Sequence, residues 1–129
     1  MSETSNFLIH KHETDHPHYD FYLKVGGEIK SWIIPHGIPE NSKNQKIAVE
    51  SGLFNKSMEE LESQETVEDS YGEGKAELWD KGSCKLETNK DIKIIIEPQG
   101  NQFNGKYLLY VPNWGRSTKK RLWTIEKIS

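Results

Sequence analysis

The sequence has one cysteine and no long apolar run, and each shortage excludes a class of protein. Cys84 is the only cysteine among 129 residues, so an internal disulfide is excluded and a reducing, cytoplasmic setting is expected. Only 33% of residues are hydrophobic and the mean hydropathy is −0.81, which predicts a modest core and no membrane-spanning segment. The amino terminus lacks the basic and apolar regions of a secretion signal. We therefore expect one domain over residues 7–129 after a flexible segment at 1–6.

The net negative charge argues against non-specific binding of nucleic acid. The charge is, however, unevenly distributed along the chain. The net charge is −3, whereas from Asn104 onward six basic residues are accompanied by the single acid Glu126. Aromatic residues, among them Tyr107 and Trp123, are interleaved with these bases, as in surfaces that follow a phosphate backbone and stack bases. The alternative is that the aromatics belong to the core and the bases to a solvated hairpin tip. The bases considered as substrate contacts are Arg116, Lys119, Lys120 and Arg121.

The apolar pattern is that of short β-strands. Residues 18–25 alternate between apolar and polar, Gly26 and Gly27 form a turn signal, and residues 28–34 are again apolar-rich. A proline- and glycine-containing loop follows at 35–42, and a short helix is possible at about 56–63 within an acidic stretch. Further strands are predicted at 46–50, 76–80, 83–86, 92–97, 106–111 and 122–128. Many short strands at this spacing predict a mainly β fold, a single small antiparallel β-barrel with at most one or two short helices.

Histidine is concentrated in one place. Four of the five histidines lie between positions 10 and 18. Because strand residues two apart share a face, His18 and Asp20 should project together, away from the core. His12 precedes the break at Pro17, on a loop or neighbouring strand that can fold back to complete a set of three ligands.

Two imidazoles and one carboxylate make an open divalent-metal site. Such a set leaves coordination positions for water or substrate, and the mixed nitrogen and oxygen donors favour manganese, iron, cobalt or zinc over magnesium or calcium. With a divalent ion the local charge is near +1, which suits phosphate. Two alternatives stay open: a solvated, adventitious metal binder, and a non-haem iron oxygenase of the two-histidine, one-carboxylate type. The second would need a later histidine, and only His36 is available.

Several longer motifs resemble the 3′-phosphoesterase domain of bacterial DNA ligase D, also found as small stand-alone proteins. They are F-L-I-H-K-H at 7–12, H-Y-D-F-Y-L-K at 18–24, G-E-I-K-S-W-I-I-P-H-G at 27–37 and Y-G-E-G-K-A-E-L-W-D-K-G at 71–82, with N-G-K-Y-L-L at 104–109 and K-R-L-W at 120–123. The resemblance implies a small β-barrel and a manganese-dependent enzyme, with cobalt or zinc as other candidate ions. It implies trimming of DNA or RNA 3′ ends, by removal of a terminal ribonucleoside and then of the 3′-phosphate, beside a repair ligase or polymerase.

The resemblance assigns the metal to His12, His18 and Asp20, but the phosphate contacts of the family are altered. The family arginine two residues after the aspartate is Tyr22 here, the lysine of its P-K-G phrase is His36, and a further arginine is Lys46. Its E-D-H-P phrase is missing. An arginine fork binds phosphate through two bonds, whereas lysine offers a point charge and tyrosine a hydroxyl. Tyr22, His36 and Lys46 are thus the candidate catalytic residues, and a catalytically weakened end-binding module is the alternative function.

Overall fold

The computed structural model describes residues 3–13, 17–25, 28–39, 41, 44–54, 58–63, 66–69, 72–90, 92–113 and 122–128. Its elements in chain order are β1 (Glu3–Glu13), β2 (His18–Val25), β3 (Glu28–Ile34), β4 (Gln45–Phe54), α1 (Met58–Ser63), β5 (Thr66–Asp69), β6 (Gly72–Lys90), β7 (Lys93–Pro98), β8 (Tyr107–Tyr110) and β9 (Leu122–Lys127). No helix in these ranges is long and apolar enough to cross a membrane.

The strands close into an antiparallel barrel. Hydrogen bonding runs in the order β1-β2-β3-β4-β9-β8-β7-β6, and pairing of β1 with β6 joins the two ends, while β5 extends β6 at the edge. Closure leaves no free edge among the eight barrel strands. The predicted mainly β, single-barrel fold is confirmed.

The inward face of the barrel is the hydrophobic core. Alternate residues of each strand enter it, as Phe21 and Leu23 do from β2. Aromatic rings dominate: Phe21 stacks on Trp32 with centroids 5.5 Å apart, and Trp32 meets the edge of Trp123 at 5.5 Å. Trp123 and Tyr107 are 0% and 1% exposed. Of the two interpretations of the C-terminal aromatics, the core interpretation therefore holds for these two residues.

A buried carboxylate fixes the loop that follows β7. Asp80, 6% exposed, accepts hydrogen bonds from four backbone amides, at 2.9 Å, 3.2 Å, 2.9 Å and 2.7 Å. The donors are Lys81, Asn101, Gln102 and Phe103. The last of these bonds holds Phe103 so that its ring enters the core beside Phe7 and Tyr107. A methyl group at Gly100 would overlap the Asp80 carboxylate, which explains a glycine there.

Besides shifts at strand ends, such as β4 at Gln45–Phe54 where 46–50 was predicted, the strands differ from the prediction in three places. The strands expected at 76–80 and 83–86 are one continuous strand, β6, because β1 pairs with it on both sides of Gly82. A Cβ atom at Gly82 would lie 3.0 Å from the Gln99 carbonyl oxygen, which favours glycine there. Strand β1 begins at Glu3, paired with Leu86 of β6, inside the segment expected to be flexible. A short strand, β5, lies in the stretch expected to be loop.

Candidate metal centre

Strands β1 and β2 place the three expected ligands side by side. In the antiparallel register His12 lies opposite His18, and Asp20 follows two positions later on the same face of β2. The alternative that put His12 on a neighbouring strand is thus the one the structure adopts. This face is the outward one, since Tyr19 and Phe21 between and beyond the ligands turn toward the core.

The three side chains form a compact, buried triangle. His12 Nδ1 lies 3.1 Å from His18 Nε2 and 3.0 Å from one oxygen of Asp20, and His18 Nε2 lies 3.2 Å from the other oxygen. The residues are 0%, 2% and 4% exposed, respectively. They are the one group of three or more such donors in the described ranges that could hold a metal ion.

A backbone carbonyl fixes the orientation of the His12 ring. His12 Nε2 lies 3.1 Å from the Gly74 oxygen on β6. A carbonyl can only accept, so Nε2 donates the hydrogen, and Nδ1, the atom that points into the triangle, carries the lone pair of the neutral ring. Metal-binding histidines are held in this way, with the distal N–H donated to a carbonyl or carboxylate.

The donor set fits a divalent transition metal. Ligand atoms about 2.1–2.2 Å from one ion and at right angles to each other lie roughly 3.0–3.1 Å apart, close to the separations of 3.0–3.2 Å in the triangle. Two neutral nitrogens and a carboxylate favour manganese, iron, cobalt or zinc over the oxygen-seeking magnesium and calcium. The triangle is thus suited to an ion whose remaining positions are open.

One neighbour of the triangle was not singled out from the sequence as a site residue. His10 lies opposite Asp20 in the β1–β2 register, is 0% exposed, and meets the Tyr22 ring edge-on with centroids 5.7 Å apart. Burial lowers the pKa of His10 to about 4, helped by the neighbouring His12 and opposed by Glu62. The concentration of histidines between 10 and 18 was the available signal.

The three candidate catalytic residues do not come together. Tyr22 shares the face of the triangle, but it is only 2% exposed and packs with Leu8 and Ile29. His36 and Lys46 instead line a polar cavity of about 280 Å³ beside Tyr19, which turns to the opposite face of β2 from the ligands. The positive charge expected at the phosphate is therefore separated from the metal ligands by the sheet.

The predicted basic contacts near the C-terminus fall outside the described residues. These are Arg116, Lys119, Lys120 and Arg121. They remain a prediction from the sequence.

Comparisons with known proteins identify the family. Residues 10–111 match the DNA ligase D 3′-phosphoesterase domain. The multifunctional non-homologous end joining DNA repair protein LigD of Mycobacterium tuberculosis is 29% identical over 122 residues, which cover 92% of this chain and 16% of the relative. The corresponding proteins of Mycolicibacterium smegmatis and Pseudomonas aeruginosa are 26% and 29% identical, over 95% and 60% of the chain and over 16% and 9% of their own lengths. The chain thus spans about a sixth of the first relatives, and it belongs to the DNA ligase D 3′-phosphoesterase domain family.

Proposed function

We propose that this domain is a manganese-dependent phosphoesterase that heals 3′ ends at DNA breaks. It would remove a 3′-terminal ribonucleoside and then the remaining 3′-phosphate. Family membership supports this proposal, as do relatives named for non-homologous end joining DNA repair. Because those relatives are about six times longer than this chain, we also propose that a ligase or polymerase of an end-joining system works beside it, in the cytoplasm.

The buried triangle of His12, His18 and Asp20 is the observation that carries the proposal. The family is metal-dependent in general, and an ion bound here would act as a Lewis acid on a phosphoryl oxygen. The chain's own contribution is orientation: the Gly74 carbonyl keeps the lone pair of His12 Nδ1 directed inward. Asp20 supplies one negative charge, so a divalent ion would leave a net charge near +1 to attract a phosphate.

The decisive assay uses two labelled primers, one ending in a 3′-ribonucleotide and one in a 3′-phosphate. Each is incubated with the protein and Mn²⁺, and the products are resolved on a denaturing gel. Asp20→Asn keeps the size of the ligand and removes its charge, so it should abolish product. Lys85→Ala, an exposed change on β6, is the matched control that should act like the wild type. No product from either primer would contradict the proposal.

The same assay separates the phosphoesterase from an oxygenase. Family membership favours phosphoester chemistry, and hydrolysis needs no oxygen, so product should form equally under anaerobic conditions. Activity that needs iron, oxygen and a small-molecule co-substrate would instead identify a non-haem iron oxygenase.

A second candidate function is a metal-binding module that holds a 3′ end with little turnover. The observation that favours it is the placement of the phosphate contacts: Tyr22 is buried, and His36 and Lys46 line a cavity on the other side of β2. Loss of one pre-aligned charge stabiliser costs on the order of a hundredfold in rate. Such a module would retain a 3′-phosphate oligonucleotide in a filter-binding assay with Mn²⁺ while releasing no inorganic phosphate.

A further inference from the structure

His10 is a fully buried polar side chain whose hydrogen-bonding capacity is unused. Within the described residues neither ring nitrogen has a hydrogen-bond partner, and the side chain is 0% exposed. A buried polar group without a partner destabilises the folded protein, because it has lost its water and gained nothing in return. Such a group in a native protein calls for an explanation, and a ligand is one.

The position of His10 points to a ligand at the metal centre. It stands in register with Asp20 and two residues before His12, on the outward face of β1. The β1–β6 pairing changes register between Ile9 and His10, with Trp79 of β6 as the extra residue, a bulge of the kind often found beside a functional site. His10 is not part of the triangle itself, which contains only His12, His18 and Asp20.

Among the described residues, the groups near His10 do not account for it. Tyr22 meets the His10 ring edge-on, a ring contact rather than a hydrogen bond. The Glu62 carboxylate on α1 is engaged by Lys81 in an ion pair. The imidazole ring of His10 offers an N–H donor, which suits an oxygen atom of a small ligand.

We propose that His10 is a further ligand-contacting residue of this site, donating a hydrogen bond to an oxygen held beside the triangle. That oxygen comes either from a phosphate group or from a water molecule. In both cases a lone pair of the oxygen accepts the hydrogen bond from the His10 N–H. The phosphate case rests on the proposed function, since it identifies the substrate of the same site. His10 would then supply part of the phosphate contact that Tyr22, His36 and Lys46 do not provide on this face.

The test compares two replacements of His10 with a matched control elsewhere in the barrel. His10→Leu removes both polar atoms at similar volume, and His10→Gln keeps an N–H at a similar distance from the backbone. Thr124→Val is the control, because the Thr124 hydroxyl is likewise buried without a hydrogen-bond partner in the described part of the chain, but on β9 across the barrel. Unfolding midpoints of the metal-free proteins, Mn²⁺ affinity and inorganic phosphate affinity of the Mn²⁺-loaded proteins are measured.

We expect His10→Leu and Thr124→Val both to raise the unfolding midpoint of the metal-free protein, by about 3–8 °C. Only His10→Leu should also weaken ligand binding, and His10→Gln should restore most of it. A loss of phosphate affinity of about tenfold or more identifies phosphate as the source of the oxygen. A loss of Mn²⁺ affinity of about 10–100-fold with unchanged phosphate affinity identifies water.

Unchanged affinities for both ligands in His10→Leu would overturn the proposal, since His10 would then be a core residue. Should His10→Leu fail to fold, His10→Met is the second apolar variant, and failure of both would also overturn it by showing a structural role. These readouts need no turnover. A wild-type protein that yields no product therefore contradicts the proposed function without deciding the role of His10.

Discussion

Replacing Asp80 by asparagine tests whether this carboxylate holds one end of the barrel together. Asp80 accepts four backbone hydrogen bonds, two at each oxygen, and one of them orients Phe103 into the core. Asparagine has a single acceptor oxygen, and its amide nitrogen would face backbone N–H groups that also need an acceptor. The change is nearly isosteric, so packing is preserved while the hydrogen bonding is not.

The expected loss in the free energy of unfolding follows from the number of hydrogen bonds that Asp80→Asn removes. If the asparagine oxygen faces Gln102 and Phe103, the bonds from Lys81 and Asn101 are lost. A hydrogen bond to a charged group contributes about 1.5–3 kcal/mol, and a buried donor left unsatisfied costs a similar amount. Because these effects overlap, we expect the free energy of unfolding to fall by about 3 kcal/mol, a substantial part of the roughly 5–15 kcal/mol typical of a domain.

Urea denaturation followed by tryptophan fluorescence measures this loss, since Trp32 and Trp123 lie in the core. For a domain of this size a loss of about 3 kcal/mol lowers the Tm by on the order of 10 °C. Glu77→Gln, an exposed carboxylate on the same strand, is the control and should change stability by less than about 0.5 kcal/mol. A loss below about 1 kcal/mol in Asp80→Asn would refute the role given to the carboxylate, because a single such bond should exceed it.

The remaining predictions concern the site and the buried thiol. Mn²⁺ at about a hundred times its Kd should stabilise the protein by about 2.7 kcal/mol in a thermal-shift assay. His18→Ala should lose this stabilisation and His36→Ala should keep it. Stabilisation of both variants by Mn²⁺ would contradict the assigned ligands. Burial raises the pKa of Cys84 to about 11, so iodoacetamide at pH 8 should label this thiol only in denaturant, which mass spectrometry would detect. The same shift should make the free energy of unfolding fall as the pH rises from about 9 toward 11. Tyr22→Arg should lower the free energy of unfolding by about 3 kcal/mol or more because it buries a charge, rather than restore activity; higher activity in the primer assay would contradict this. Lys46→Ala should leave binding of a 3′-phosphate oligonucleotide unchanged, because Lys46 lines a cavity on the opposite face of β2 from the metal ligands. A loss of about 1–3 kcal/mol would instead place Lys46 in the substrate site.

Alternation in the sequence was enough to predict β2, β3 and the shared face of His18 and Asp20. The pattern works there because one face of β2 enters the core while the other carries polar groups. It failed for β1 because residues 7–9 are apolar without interruption: Phe7 and Ile9 enter the core, while Leu8 is buried on the outer face. A strand with apolar residues on both faces loses the alternation on which the prediction depends.

Other features depend on contacts between distant residues and could not be predicted from local pattern. Gly82 signalled a turn, yet β6 continues through it because that position pairs with Phe7 of β1. Asp80 could be recognised as part of a motif, but not as the acceptor for a loop some twenty residues later. The separation of Lys46 from the metal ligands likewise follows from the course of β4 around the barrel, which no spacing along the chain reveals.

Closure of the barrel between its first strand and β6 also bears on the order of events in folding. The contact between His12 and the Gly74 carbonyl joins residues 62 positions apart, and the whole β1–β6 pairing is of similarly long range. Contacts of this kind form slowly, because a long loop must be ordered before they contribute any stability. We therefore predict that His12 reaches its binding orientation only after β1 has paired with β6. A ligand at this centre would then act on the rate at which the finished barrel opens, and not on the rate at which the chain first finds its fold.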